Sequence, residues 1–154
     1  MEDRIFKIEF NISDDYLDDC FSYFSDDDQC DIEELYADCF FDFHDKKDNY
    51  NCLMISNSED IKTYYNILKK NSVYCKIIDL SDDILNNNIN IENKYRNYIT
   101  TENFLDWEFF IKGVKKWIIK ELDIDFVLDR ITKVGIDNLS KVEKYFLKTY
   151  NGKD

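Results

Sequence analysis

Eight aspartates near the start of the chain are the residues whose type and spacing carry the most chemistry. Asp14, Asp15, Asp18 and Asp19 come first, then Asp26, Asp27 and Asp28, then Asp38. They lie between Lys7 and Lys46, an interval that holds 14 acids and no base. Carboxylates at this density suit three tasks: holding a hard cation, moving protons, or presenting a polyanion to a basic partner.

Each catalytic or metal option lacks a required part. An EF-hand loop places oxygen ligands at alternate positions, Gly at the sixth and Glu at the twelfth. Counted from Asp26, the fifth residue is Cys30, the sixth Asp31 and the twelfth Ala37. Asp26, Asp27 and Asp28 with Asp31, Glu33 and Glu34 therefore read as a solvated acidic loop. The single imidazole, His44, follows Cys39 by five residues and Asp42 by two, short of the three or four convergent ligands of a zinc site. Cys39 or Cys75 with His44 has no nucleophile motif around it, and Cys39 stands beside Phe40 and Phe43 on an apolar face. Paired carboxylates are so frequent here that no pair stands out for acid–base work. Three glycines, at 113, 135 and 152, form no phosphate-cradling loop. The expectation is no catalytic residue, no metal, no cofactor and no enzymatic activity.

Charge and composition narrow the remaining option. The 154 residues carry 20 Lys+Arg and 33 Asp+Glu, a formal net charge of -13. Residues 1–60 hold 19 acids and 4 bases; residues 61–154 hold 14 and 16. The excess sits wholly in the first part. Direct binding of nucleic acid or of an anionic membrane surface needs cations, so both are disfavoured. No apolar run approaches the roughly 20 residues that cross a bilayer. The opening MEDRIFKIEF has no apolar leader, and five scattered cysteines without a CxxC read as reduced thiols, so a cytoplasmic protein is expected. One alanine, three arginines, three glycines and no proline, against many Asn, Ile, Lys, Tyr and Phe, indicate AT-rich codons and a bacterial or phage source.

Asp14, Asp15, Asp18, Asp19, Asp26, Asp27, Asp28 and Asp38 are thus candidate partner-binding residues. They suit an acidic inhibitor or immunity-type protein that imitates nucleic-acid phosphates on a basic surface of a bacterial protein. The alternative is a phage or bacterial assembly protein whose acidic face meets a basic neighbour. The oligomeric state is left open.

Several elements must position these groups. Phe6, Ile8, Phe10 and Ile12 alternate with Lys7, Glu9 and Asn11, a half-buried strand. Leu17, Cys20, Phe21 and Phe24 form one face of a helix capped by Ser13, with Asp14, Asp15, Asp18, Asp19 and Ser22 opposite. After a loop at Ser25–Cys30, Ile32, Leu35, Tyr36, Cys39, Phe40 and Phe43 predict a second acidic helix starting at Asp31. Cys52–Ile55, a helix with Ile61, Tyr64, Tyr65 and Leu68, and Val73–Leu80 predict a βαβ-like unit. Residues 81–100 read as helix or ordered loop. From Thr101 the pattern is helical, with Gly135 as a stop and Ser140 with Glu143 as a capping box. The expectation is an α+β fold: a sheet of about three strands, two acidic N-terminal helices, and residues 1–100 and 101–154 packed as one unit.

Residues Phe126–Ile131 (FVLDRI), Gly135–Ser140 (GIDNLS) and Glu143–Leu147 (EKYFL) resemble a short helical module. That module ends various bacterial proteins and follows the membrane domain of some bacterial rhomboid proteases. The resemblance covers about 25 of 154 residues, and Val142 stands where the module often has an acid. Rhomboid membrane helices and catalytic residues are missing, so it implies a small helical docking or stabilising element and no proteolysis.

Overall fold

The computed structural model describes residues 2–36 and 40–150. The fold is α+β. In chain order the first half contains β1 (Asp3–Glu9), α1 (Asp14–Ser22), α2 (Asp26–Leu35), β2 (Phe40–His44), β3 (Tyr50–Asn57), α3 (Ser58–Lys70) and β4 (Lys76–Asp79). Then come α4 (Ser81–Leu85), α5 (Ile91–Tyr95), a 3-10 turn (Arg96–Tyr98), α6 (Phe104–Glu121), α7 (Ile124–Val134), a second 3-10 turn (Ile136–Asn138) and α8 (Lys141–Thr149).

The sheet has four strands rather than three, in the order β2-β3-β1-β4. Every neighbouring pair is antiparallel. β3 and β4 both run opposite to β1, so they run parallel to each other. The expected βαβ unit therefore exists with β1 inserted between its strands. Its last strand is shorter than Val73–Leu80, because Val73 follows the turn at positive-φ Ser72 and packs in the core beneath α3.

Helices cover both faces. On one face, Phe6 and Ile8 of β1, Phe10 just after it and Met54 of β3 pack with Leu17, Phe24, Ile32, Ile61, Tyr64 and Leu68 from the α1–α3 region. The Tyr36 and Tyr64 hydroxyls hydrogen-bond each other there. On the other face, Ile5, Phe41, Phe43 and Leu53 meet Ile84, Ile91, Tyr95, Trp107, Phe110 and Val114. β1 is thus covered on both sides, not half-buried. Trp107 meets Phe41 edge-on at 4.9 Å, and Trp117 Nε1 donates to the Asp3 carbonyl at 2.7 Å, which ties α6 to the sheet. Leu122, Val127, Leu139 and Phe146 make a smaller third core around α7 and α8. Ser140 and Glu143 form the capping box, and Gly135 ends α7 at φ 82°, where an L side chain would be strained.

The second acidic helix differs from the sequence reading. It starts at Asp26, so Asp26–Cys30 is helix and not loop, while Phe40 and Phe43 belong to strand β2. Ser25 caps it by accepting the Asp28 N–H at 3.2 Å, and Asp26, Asp27 and Asp28 sit in a first turn where the helix dipole favours anions. Residues 40–44 (FFDFH) alternate, with Phe41 and Phe43 facing the α6 layer.

Phe41→Ala removes a fully buried ring at the sheet–α6 contact and is expected to cost about 3–5 kcal/mol. Phe109→Ala, on the exposed side of α6, is expected to change stability by less than about 0.5 kcal/mol. Urea denaturation of the two variants checks the contrast.

Candidate functional site: an acidic two-helix face

Two consecutive Ser–Asp–Asp starts build the face. Ser13 accepts the Tyr16 N–H at 3.3 Å and opens α1; Ser25 opens α2 in the same way. Leu17 of α1 and Ile32 of α2 are buried, which turns the carboxylates outward. Asp15, Asp18 and Asp19 are exposed on α1, as are Asp26 and Asp27 on α2. None of these five has a cationic group within 4.0 Å among the described residues. Neither helix carries a base in its last turn.

The other three predicted residues differ. Asp14 lies 3.5 Å from His44 Nε2 at the end of edge strand β2. Asp28 is only 8% exposed and does not belong to the face. Lys70 Nζ approaches it at 3.1 Å, and Asn71 Nδ2 donates to it at 3.1 Å. It joins the start of α2 to the end of α3. Asp38 lies outside the described residues, as does Cys39.

Electrostatics separate the two kinds of aspartate. Asp18 is raised above the usual carboxylate range, first by partial desolvation and then by repulsion from Asp14, Asp15 and Asp19. Asp28 is lowered, first by the Asn71 amide and then by the Lys70 ammonium. Among the described residues, no lysine of the second half lies within 4.0 Å of the five exposed aspartates. Lys112, Lys116 and Lys120 of α6 line a cleft of about 500 Å³ together with Glu34 and Asp60, and Lys115 pairs with Glu92.

Two residues of the face escape a reading that looks only for charge. Tyr16 is 59% exposed and Tyr23 is 89% exposed. They stand seven residues apart, so they share one side of α1 and its C-cap. That spacing was the available signal.

No group of three His, Cys, Asp or Glu side chains suited to holding a metal occurs among the described residues. Burial pushes the Cys75 thiol up to about 11 and raises Cys52 as well, the reverse of what a thiolate nucleophile needs. No helix among the described residues is long and apolar enough to cross a membrane.

The opposite shifts give opposite pH responses. The raised Asp18 favours the protonated native state, so its destabilisation grows as pH rises from its unfolded pKa through its raised folded-state pKa, and it is relieved by acid. The lowered Asp28 stabilises above its unfolded pKa, and that contribution is lost as pH falls through its folded value. Asp18→Asn is therefore expected to raise Tm at neutral pH and low salt, with a gain that shrinks in salt and in acid. Asp28→Asn is expected to lower Tm at neutral pH, with a deficit that closes in acid. Calorimetry across pH and salt reads both.

Comparison of the chain with protein-family models, with curated proteins and with solved structures finds no match.

Proposed function

We propose that the chain is a non-catalytic binding module whose α1–α2 face docks on a basic surface of a bacterial protein, as an inhibitor or immunity-type protein does. The observation that carries this reading is the set of five carboxylates without cationic partners among the described residues, beside two exposed tyrosines. Carboxylates at i and i+4 repeat at about 6 Å along a helix, a regular row of anions of the kind a nucleic-acid-binding cleft accepts. Such a row steers encounter and sets orientation more than it adds affinity. Tyr16 and Tyr23 supply what charge does not, apolar area that is desolvated on contact.

The remaining features fit the same role. Cys20, Cys30, Cys52 and Cys75 are free thiols, which suits a reducing compartment, and we place the protein in the cytoplasm. The α7–α8 pair, with its own small core, serves as the helical stabilising element its resemblance implies.

The test uses the intact protein as bait in source-cell lysate at about 50 mM and about 500 mM salt, Debye lengths of about 14 Å and about 4 Å. A basic partner should be retained at the lower salt and depleted at the higher. Reversal of Asp14, Asp15, Asp18 and Asp19 to Lys should weaken the purified complex at least about 30-fold, or about 2 kcal/mol. Tyr23→Ala should cost about tenfold. Affinity unchanged by the fourfold reversal overturns the reading.

A further inference from the structure

A face of the opposite charge lies on the other side of the sheet. α6 buries Trp107, Phe110, Ile111, Val114 and Trp117. Leu105, Phe109, Lys112, Lys116 and Lys120 follow one another at spacings of 4, 3, 4 and 4, so they form one stripe on the side turned away from that core. Leu105 is 79% exposed and Phe109 63% exposed. From Phe109 to Lys120 the helix holds four lysines and no acid. Lys115 is paired with Glu92, whereas Lys112, Lys116 and Lys120 have no carboxylate within 4.0 Å among the described residues. The stripe is apolar at its N-terminal end and cationic at its C-terminal end.

The cleft beside the stripe does not make a pocket for a small anion. Asp3, Glu34 and Asp60 share it with the three lysines, so its walls carry both signs of charge. What the stripe offers is a ridge for a broad surface, with charge and apolar area in a fixed order.

α1 carries the complementary order. Asp15, Asp19 and Tyr23 stand at spacings of 4 and 4 on its exposed side, anionic first and aromatic last. Four helical residues rise about 6 Å and three about 4.5 Å. Laid antiparallel on α6, Asp15 meets Lys116, Asp19 meets Lys112 and Tyr23 meets Phe109. A parallel arrangement would set Tyr23 on Lys120 and Phe109 against the start of α1, so the order selects one direction. α1 and α6 belong to layers on opposite sides of the sheet, so the match cannot close within one chain. It can close between two. Two chains of net charge -13 repel at a distance, but at about 150 mM salt the Debye length of about 8 Å confines that repulsion and leaves the contact pairs.

We propose that the α6 stripe docks the α1 face of a second copy of this chain, head to tail, with Asp15 and Asp19 on Lys116 and Lys112 and Tyr23 on Phe109. The two surfaces differ, so the contact is heterologous and leaves one free face at each end of an assembly. The inference rests on the same open α1 face as the binding reading, and it makes a second copy and a basic partner competitors for Asp15 and Asp19.

Sedimentation equilibrium of the full chain tests it. At about 0.5 mM protein and about 150 mM salt the weight-average mass should be at least about 1.5 times that of the monomer, and it should fall to the monomer on dilution to about 10 μM. Lys112→Gln with Lys116→Gln should stay monomeric at the higher concentration, as should Asp15→Asn with Asp19→Asn. An equimolar mixture of the two double variants should form a one-to-one dimer and nothing larger, because each supplies the face the other lacks. The mixture also shows that neither variant failed by misfolding. A wild-type mass independent of concentration, association by either double variant alone, or a mixture that stays monomeric overturns the proposal. So does an oligonucleotide that binds the wild-type chain through Lys112 and Lys116, which would make the stripe a nucleic-acid site. The lysine variant should still retain the basic partner from lysate, so failure of self-docking and failure of the binding reading are read separately.

Discussion

Repulsion among the carboxylates of α1 and α2 is contained by the apolar undersides of the same two helices. Leu17 of α1 and Ile32 of α2, with Phe24 between the two helices, are buried in one core with Phe6 and Ile8 of β1 and Phe10 just after it. Burying one such side chain contributes about 1.5–3 kcal/mol, whereas an exposed like-charge pair at i, i+4 costs only about 0.2–0.5 kcal/mol. The core wins by a wide margin, so the helices hold even though no base among the described residues lies within 4.0 Å of Asp15, Asp18, Asp19, Asp26 or Asp27. The charge is tolerated rather than neutralised, and that leaves it available to a partner.

The sheet makes this arrangement possible by separating two jobs. Its α1–α3 side anchors the acidic face. Its α4–α6 side is a largely apolar layer locked by the Phe41–Trp107 contact and the Trp117 bond to the Asp3 carbonyl. Asp28 with Lys70 and Asn71 is the polar latch between α2 and α3, and it fixes the tilt of the second acidic helix at its start. At one end this layer gives way to Lys7, Glu9 and Asn51, where a small cavity opens.

Local signals were legible in the chain and long-range ones were not. The caps at Ser13 and Ser140, the stop at Gly135, the continuous apolar run of β3 and the crossover helix α3 all follow from neighbouring residues. The boundary between α2 and β2 is hidden in the sequence because Ile32, Leu35, Tyr36, Phe40 and Phe43 match a helical repeat by coincidence. The alternation of Phe41 and Phe43 on β2 is what the sheet uses. Lys7 and Glu9 suggested a solvent-facing strand side, yet α5 lies over them, a fact of topology rather than of pattern. Within the acidic face, exposure of Asp15, Asp18 and Asp19 follows from helical periodicity. The burial of Asp28 depends on Lys70 and Asn71, 42 and 43 residues away, and no local signal reveals it.

The central claim is that the exposed carboxylates Asp15, Asp18, Asp19, Asp26 and Asp27 repel one another with no cationic partner among the described residues, and that a basic partner protein relieves this. Carbon-detected NMR titration of the Asp18 carboxyl tests it most directly, in the free protein at low salt and again with a saturating basic partner or with polylysine as a stand-in polycation. The account predicts a titration above that of an ordinary aspartate in the free protein, shifted down by salt and further by the polycation. An Asp18 that titrates in the ordinary range at low salt, unmoved by polycation, would contradict it.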